Sequence, residues 1–452
     1  MYLERFYDET LAQASYLVGC QATGEAIVID PARHVEPYLE RARAQGLSIV
    51  AVTETHIHAD FVSGTRELAS RTGATMYLSD EGDADWKYGF AGSNDKLVKD
   101  GHTIQLGNLT LEVMHTPGHT PEHISFLLTD HPATSQPIGA FTGDFVFVGD
   151  VGRPDLLEKA AGVANTMEKG ARDLYASLQR FAKQPDHLQI WPAHGAGSAC
   201  GKALGAVPQS VLGYEKMANW AFGCKTEEEF VAKILDGQPE PPHYFAEMKR
   251  VNKTGPTLLN ELATPAKLSA SQLAEKLEKQ EQVIDLRGVE PFVQGHPSGA
   301  IFLPPLGLAR WAGWVLPYGP PLYLLTEADQ DVESMLRAFR SIGLDRIGGV
   351  SHELPASTVT SHRVKPEQLS GTEGLIDVRG LSEWNGGHAE GAKHIHLGKL
   401  TSNLEQIPEQ PTLYCGSGLR SLIGSSLLER AGKEPTDVVG GFAAMRSLVA
   451  TA

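Results

Sequence analysis

The 452 residues exceed one ordinary hydrophobic core, so two or three domains are expected. With 41% hydrophobic and 21% charged residues the composition is that of a water-exposed globular protein, and a formal net charge of −16 argues against nucleic acid as the main partner. Four cysteines, Cys20, Cys200, Cys224 and Cys415, are too few for a disulfide framework. The first twenty residues carry charges where a secretory signal would need an apolar core. No apolar run approaches ~18 residues, so no membrane span is expected and the cytoplasm is the expected compartment.

Residues 1–250 read as one unit. Short β-type runs come in the order YLVGC, EAIVID, SIVAVTET, TMYLS, TIQLGNLTLEVMHT, ISFLL and AFTGDFVFVG. Helical patterns lie between them, as in HVEPYLERARAQG and VSGTRELASRTG, each closed by a glycine. Strands punctuated by helices predict sheet layers covered by helix. The proline-rich stretch DGQPEPPHYFAEMKRVNKTGP reads as the exit.

Two smaller units follow and repeat each other. In VIDLRGVEPFVQGHPSGAIFLP and LIDVRGLSEWNGGHAEGAKHIHL, Asp285, Arg287, Gly288, Gly295, His296, Gly299 and Ala300 recur as Asp377, Arg379, Gly380, Gly387, His388, Gly391 and Ala392. Every pair keeps one register, which predicts two copies of a small α/β domain, 265–358 and 365–452.

Metal-ligand residues gather just after β-type runs: His56, His58 and Asp60 in THIHADF, His115, His119 and His123 in HTPGHTPEHIS, Asp144 in TGD, and His194 in PAHG. Loops at the carboxyl ends of strands can offer such groups to one point. T-H-x-H-A-D, T-P-G-H-T, T-G-D and P-A-H-G resemble the metallo-β-lactamase superfamily. The resemblance implies an αββα sandwich with metal at the sheet edges. In its two-zinc hydrolases a histidine usually follows the motif aspartate; here Phe61 stands there. The set left, His56, His119 and Asp144, is the two-histidine, one-carboxylate triad of non-haem Fe(II). The persulfide dioxygenase branch is built in this way, and this sequence resembles it. That branch implies one Fe(II) per chain, with His58, Asp60 and His194 orienting ligands or touching substrate. A ligating role for His58 stays open, and His115 and His123 read as loop or structural residues.

For Arg153, in GDVGRPDL, two readings stand: a clamp on the carboxylate or phosphate of a carrier thiol, or a surface turn. Cys200, six residues after His194, reads as a small buried hydrophobe or as a sulfur acceptor.

Near the C-terminus TLY leads into Cys415, then Gly416, Ser417, Gly418, Leu419 and Arg420 open an apolar helix. Strand, glycine loop and helix start aim backbone N–H groups inward and, with Arg420, favour a nucleophilic thiolate. C-G-S-G-L-R after D-x-R-G and G-H-x-x-G-A resembles the rhodanese domain family. This implies a Cys415 persulfide cradled by residues 416–419, with Arg420 beside it. The earlier copy has no cysteine between 225 and 414 and resembles an inactive rhodanese. Its counterpart of Tyr414–Cys415 is expected at Leu322–Tyr323 or Tyr323–Leu324.

The whole order resembles persulfide dioxygenase–rhodanese fusions. It implies oxidation of a low-molecular-weight thiol persulfide by O₂ to sulfite, coupled to making or using thiosulfate in sulfide detoxification, with a homo-oligomer left open. The rival expectation is a zinc-dependent thioester hydrolase of the glyoxalase II type fused to a sulfurtransferase.

Overall fold

The computed structural model describes every residue except 157, 159–165, 203, 370, 372–373 and 449–452. Met1–Glu261 with Arg340–Gly343 form one compact unit, and Leu262–Phe339 with Leu344–Ala452 form a second. The first unit therefore runs past position 250.

The first unit holds two six-stranded sheets. One is β1 (Tyr2–Asp8), β2 (Gln13–Cys20), β3 (Glu25–Ile29), β4 (Ser48–Thr53), β5 (Thr75–Ser79) and β6 (Lys96–Val98), in that order. The other places β7 (Thr103–Leu106), β8 (Leu109–His115), β9 (Ile124–Asp130), β10 (Gly139–Gly143), β11 (Gln189–Pro192) and β12 (Ser210–Val211) in sequence across the sheet. β10 runs parallel to β11 and antiparallel to β9, which is antiparallel to β8, so β8, β10 and β11 all end at one edge.

Side chains alternate across each strand. On β2, Ala14, Tyr16, Val18 and Cys20 join Leu111, Val113, Phe126 and Phe141 between the sheets, whereas Leu17 turns outward to Tyr38, Ala42 and Leu68. The outer face of the second sheet is covered by Leu174, Leu178 and Phe181 of helix Met167–Phe181 and Phe230 of helix Glu227–Leu235. Both faces of each sheet are thus buried, the αββα order.

The second unit holds two parallel five-stranded sheets. The first is β13 (Ala266–Lys267), β14 (Gln282–Asp285), β15 (Ile301–Phe302), β16 (Leu322–Leu325) and β17 (Ile347–Ser351), ordered β13-β17-β16-β14-β15. The next is β18 (His362–Val364), β19 (Leu375–Asp377), β20 (Lys393–His394), β21 (Thr412–Tyr414) and β22 (Thr436–Val438), ordered β18-β22-β21-β19-β20. The order is the same, so the repeat in sequence is a repeat in fold. The matched Asp and Arg are its fastener. Arg287 Nη2 donates to Asp285 at 2.6 Å and to the Gly295 carbonyl at 2.8 Å, and Arg379 repeats both bonds with Asp377 and Gly387. Among the described residues no helix is long and apolar enough to cross a membrane.

Candidate metal centre and thiol loop

Three strand ends deliver the first cluster. His56 follows β4, His119 follows β8 and Asp144 follows β10, and one ligand atom from each lies within 4.8 Å of the others. Asp144 Oδ2 is 3.9 Å from His56 Nε2 and 3.5 Å from His119 Nε2. Gly143 has φ +51, and a Cβ there would collide with Thr55 and His123, so only glycine lets β10 end this close to the histidine loop.

All three ligand residues are buried. His119 Nδ1 donates to the Arg153 carbonyl at 3.0 Å, which leaves Nε2 for the centre. Burial, with the neighbouring histidines, holds His56 well below the usual imidazole range; burial also lowers His119. Both are therefore neutral donors. His56 Nε2 and both Asp144 oxygens have no hydrogen-bond partner. Orphaned buried atoms cost on the order of 1–3 kcal/mol each, so a cation fits this donor set.

His58 lies at the back of the cluster. Its Nε2 is 3.0 Å from Asp30 Oδ1, its Nδ1 has no partner, and it is not in the mutually close set of three. Burial pulls its pKa down, but Asp30, with Glu54 and Asp60, carries it up to about 9. Asp30 also accepts from Thr55 N and Oγ1, at 2.6 and 3.0 Å. One carboxylate thus ties down the start of the loop.

A second donor set sits beside the first: Asp60, His194 and Cys200. His194 Nε2 is 3.3 Å from both Asp60 Oδ2 and Asp144 Oδ1, so Asp144 faces both sets. Burial first, then the Asp60 and Asp144 charges, push the Cys200 thiol well above the ordinary range. Phe61 is buried with its ring 4.5 Å from that of His58.

Arg153 is neither a surface turn nor an available clamp. It is buried, its guanidinium forks onto Asp155 at 3.0 and 2.9 Å, and it donates to the Ala199 and Pro239 carbonyls. Its contribution to the centre is the carbonyl that holds His119.

Several supporting residues escape a reading by motif. His123 is buried; its Nε2 accepts from the Asp144 amide at 3.1 Å and its Nδ1 meets Thr116 Oγ1 at 2.8 Å. Asn252 lies beyond the expected domain end, yet its Nδ2 donates to the His58 and Phe61 carbonyls and its Oδ1 accepts from Ser63 N. Three buried hydrogen bonds at ~1 kcal/mol each make Asn252→Ala cost about 3 kcal/mol. The expected result is lower denaturant stability and weaker metal retention, read by urea unfolding and metal content.

Glu122 accepts from the Ile57 amide at 2.8 Å, and burial pushes its pKa up to about 7. A raised folded-state pKa gives stability that is full below the ordinary carboxylate range and lost as pH rises through about 7. Glu122→Gln is expected to be more stable than the parent at pH 8 by about 2–3 kcal/mol, with the difference gone near pH 4.5, in urea titrations at both values.

In the second unit Cys415 follows β21 and is buried. Its Sγ accepts from the Gly418 amide at 3.1 Å and from Ser421 Oγ at 3.6 Å. Gly418, at φ +97, opens helix Leu419–Arg430, with Gly416, Ser417 and Gly418 forming the turn. A Cβ on Gly441 would strike the Cys415 carbonyl, which fixes glycine on the facing loop. Arg420 stands over the loop but its two terminal nitrogens are forked onto Glu383 at 2.6 and 2.7 Å, a partner that the C-G-S-G-L-R motif does not contain.

Register relocates the counterpart in the earlier repeat. Asp377 pairs with Tyr414 and Asp285 with Leu325, so Leu325–Thr326 match Tyr414–Cys415, two or three residues later than expected. Thr326 occupies the cysteine position, and Asp331 takes that of Arg420 and accepts from the Ser334 amide. This helix start is capped by its own carboxylate.

The metallo-beta-lactamase superfamily matches residues 9–194, and the rhodanese-like domain matches 363–448. A crystal structure of a metallo-beta-lactamase from Staphylococcus aureus subsp. aureus COL is 41% identical, with TM-score 0.69, covering 78% of this chain and 98% of that one. The chain belongs to the metallo-β-lactamase superfamily. Coverage of 78% exceeds what the first unit holds, so that likeness runs on into the second. Within the superfamily the curated relatives divide. Hydroxyacylglutathione hydrolase of Polaromonas sp. (strain JS666 / ATCC BAA-500) is 34% identical over 183 residues, 40% of this chain and 61% of its own length. The mitochondrial persulfide dioxygenase of Homo sapiens is 29% identical over 194 residues, 42% of this chain and 67% of its own. A superfamily domain with a metal-binding site is thus joined to a C-terminal rhodanese domain.

Proposed function

We propose that the first unit is an Fe(II)-dependent persulfide dioxygenase with one iron per chain, and that Cys415 carries sulfane sulfur in the same chain. The observation that carries the reading is Phe61: an apolar ring stands beside His58, while His56 and Asp144, grouped with His119, keep buried atoms with no hydrogen-bond partner. Two neutral nitrogens and one carboxylate suit Fe(II) and leave positions for O₂ and a sulfur anion. Iron held there supplies the one-electron exchange that lets O₂ react with a closed-shell persulfide.

The protein residues do the rest. His119 is aimed by the Arg153 carbonyl and Asp144 by His123. Asp30 holds the His58 end of the loop, and Asn252 holds its Phe61 end. His194 and Asp60 face Asp144 on the other side, and the burial of the whole set keeps bulk water out. Overall RSS⁻, O₂ and water become RSH and hydrogensulfite.

Sulfur then moves through Cys415, either onto sulfite to give thiosulfate or from thiosulfate to the carrier thiol. The earlier repeat, with Thr326 and Asp331 at the key positions, does no thiol chemistry. All four cysteines are unpaired, which suits a reducing cytoplasm.

One observation favours a second reading. Asp60, His194 and Cys200 lie close enough to share a second cation, which a zinc thioester hydrolase of the glyoxalase II type would use. Oxygen uptake on adding glutathione persulfide, set against hydrolysis of a glutathione thioester by the same preparation, decides between them. Uptake without thioester cleavage supports the dioxygenase; cleavage without uptake supports the hydrolase.

A further inference from the structure

The repeat isolates what belongs to the thiol. Trp384 stacks on His388 and Phe292 on His296, and each histidine Nδ1 donates to the carbonyl of its ring partner. Glu383, just before Trp384, therefore matches Pro291, just before Phe292. The earlier repeat keeps the Asp–Arg fastener but loses Cys415, Arg420 and Glu383 together, to Thr326, Asp331 and Pro291. A glutamate that the fold required would stand in both copies; this one goes with the chemistry. Glu383 also lies against the loop. A Cβ added to Gly416, the residue after Cys415, would sit 3.2 Å from Arg420 Nη2 and 3.6 Å from Glu383 Oε1. Arg420 Nη1 and Nη2 donate to the two Glu383 oxygens at 2.6 and 2.7 Å, and Oε2 also accepts from the Gly380 amide at 3.1 Å. Burial opposes ionisation of Glu383, but Arg420 holds its carboxyl below the usual range, so it is charged at neutral pH. Phe442, whose amide donates to the Cys415 carbonyl, carries Arg379 4.3 Å from its ring, and Arg379 is likewise paired, with Asp377. Each of these two guanidinium groups beside the thiol is thus offset by a carboxylate.

We propose that Glu383 is a specificity-determining residue that sets Cys415 against thiosulfate and in favour of persulfides as sulfur donors. The proposal rests on the sulfur-transfer reading of Cys415. Thiosulfate brings two negative charges, and its sulfonate has to settle over the loop, where Glu383 cancels the attraction of Arg420. As the Cys415 thiolate attacks its outer sulfur, an Sγ–S bond forms, the S–S bond of thiosulfate breaks, and the electron pair leaves with sulfite. Cys415 is left as a persulfide anion, and the departing dianion has no free cation to hold it. A persulfide on an uncharged carrier reacts as RSSH. Sγ attacks the outer sulfur, the S–S bond breaks, its electron pair leaves as RS⁻, and the proton stays on the transferred sulfur. No sulfonate then approaches the carboxylate. The Gly418 amide and the start of helix Leu419–Arg430 face the sulfur in either case, so loading from a persulfide does not need a free arginine. Thiosulfate made when sulfite takes the sulfur is held as weakly, and leaves.

The test uses the full chain. Reduced protein is mixed with thiosulfate or with the persulfide of 2-mercaptoethanol for timed intervals and quenched with iodoacetamide. The mass gain of one sulfur on the Cys415 peptide is then followed by mass spectrometry. The quantity read is the ratio of loading rates, thiosulfate over persulfide, in which a general loss of reactivity cancels. Glu383→Gln, whose amide oxygen still accepts from Gly380, is expected to raise that ratio about tenfold, because Arg420 then faces the dianion with its charge uncancelled. Glu383→Asp, which keeps the charge, is expected to hold the ratio near that of the parent. An unchanged or lowered ratio in Glu383→Gln would overturn the proposal and leave sulfur transfer through Cys415 intact. Sulfur gained by Cys415 from neither donor would overturn the sulfur-transfer reading and the proposal with it.

Discussion

Asp144→Ala is expected to abolish oxygen consumption, by about a thousandfold or more, and to release the metal, while Cys415 still transfers sulfur. Among the described residues Asp144 is the one carboxylate that meets His56, His119 and His194 together. Removing it leaves His56 and His119 without this carboxylate and His194 with Asp60 alone, and a divalent ion loses its anionic ligand. His56→Ala and His119→Ala should follow the same pattern. His194→Ala should be milder, about 10–100-fold, if it supports the ligands rather than binding iron. Iron content, an oxygen electrode with glutathione persulfide, and thiosulfate-to-cyanide transfer on one sample read all three consequences. Loss of sulfur transfer together with oxygen uptake would mean that the two sites are not separate.

Cys415→Ser is expected to do the reverse: transfer falls to background and oxygen uptake from a small persulfide stays within about twofold. The hydroxyl fits the loop and accepts from Gly418, but it is a far weaker nucleophile and cannot carry sulfane sulfur. Arg420→Ala should weaken transfer as well, and it also strands Glu383, which is half-buried and forked to it. Comparing Arg420→Ala with Glu383→Gln separates the two effects. If Cys415→Ser abolished oxygen uptake from glutathione persulfide, the scheme with one chemistry at each site would be wrong.

What the sequence made legible was whatever repeats or runs apolar. β2 and β3 carry apolar runs without strict alternation because both faces of the sheet are covered, and the two later domains declare themselves by seven matches at one spacing. The ligand motifs were legible because each hangs from the end of a strand, and topology brings those ends together. The residues that hold the ligands were not. Asp30 lies more than twenty positions before His56, and Asn252 about two hundred after it, in a helix that reads as the exit. His123, read as a loop or structural residue, has the structural role, and nothing local shows that its ring faces the Asp144 amide. Neither sequence alternative for Arg153 names its partners, since a charged residue gives no sign that Asp155 and two carbonyls will bury it. The shift from Tyr323 to Thr326 needed strand register, which apolar runs such as LYLLT do not encode.

The central claim is that a buried phenylalanine limits the site to a single iron. Metal analysis of protein purified from cells grown with both metals, paired with oxygen uptake on glutathione persulfide, tests it most directly. The account predicts iron near one equivalent per chain, with uptake proportional to iron. Zinc near two equivalents, shared between the His56–His119–Asp144 and Asp60–His194–Cys200 sets, with thioester cleavage and no oxygen uptake, would contradict it.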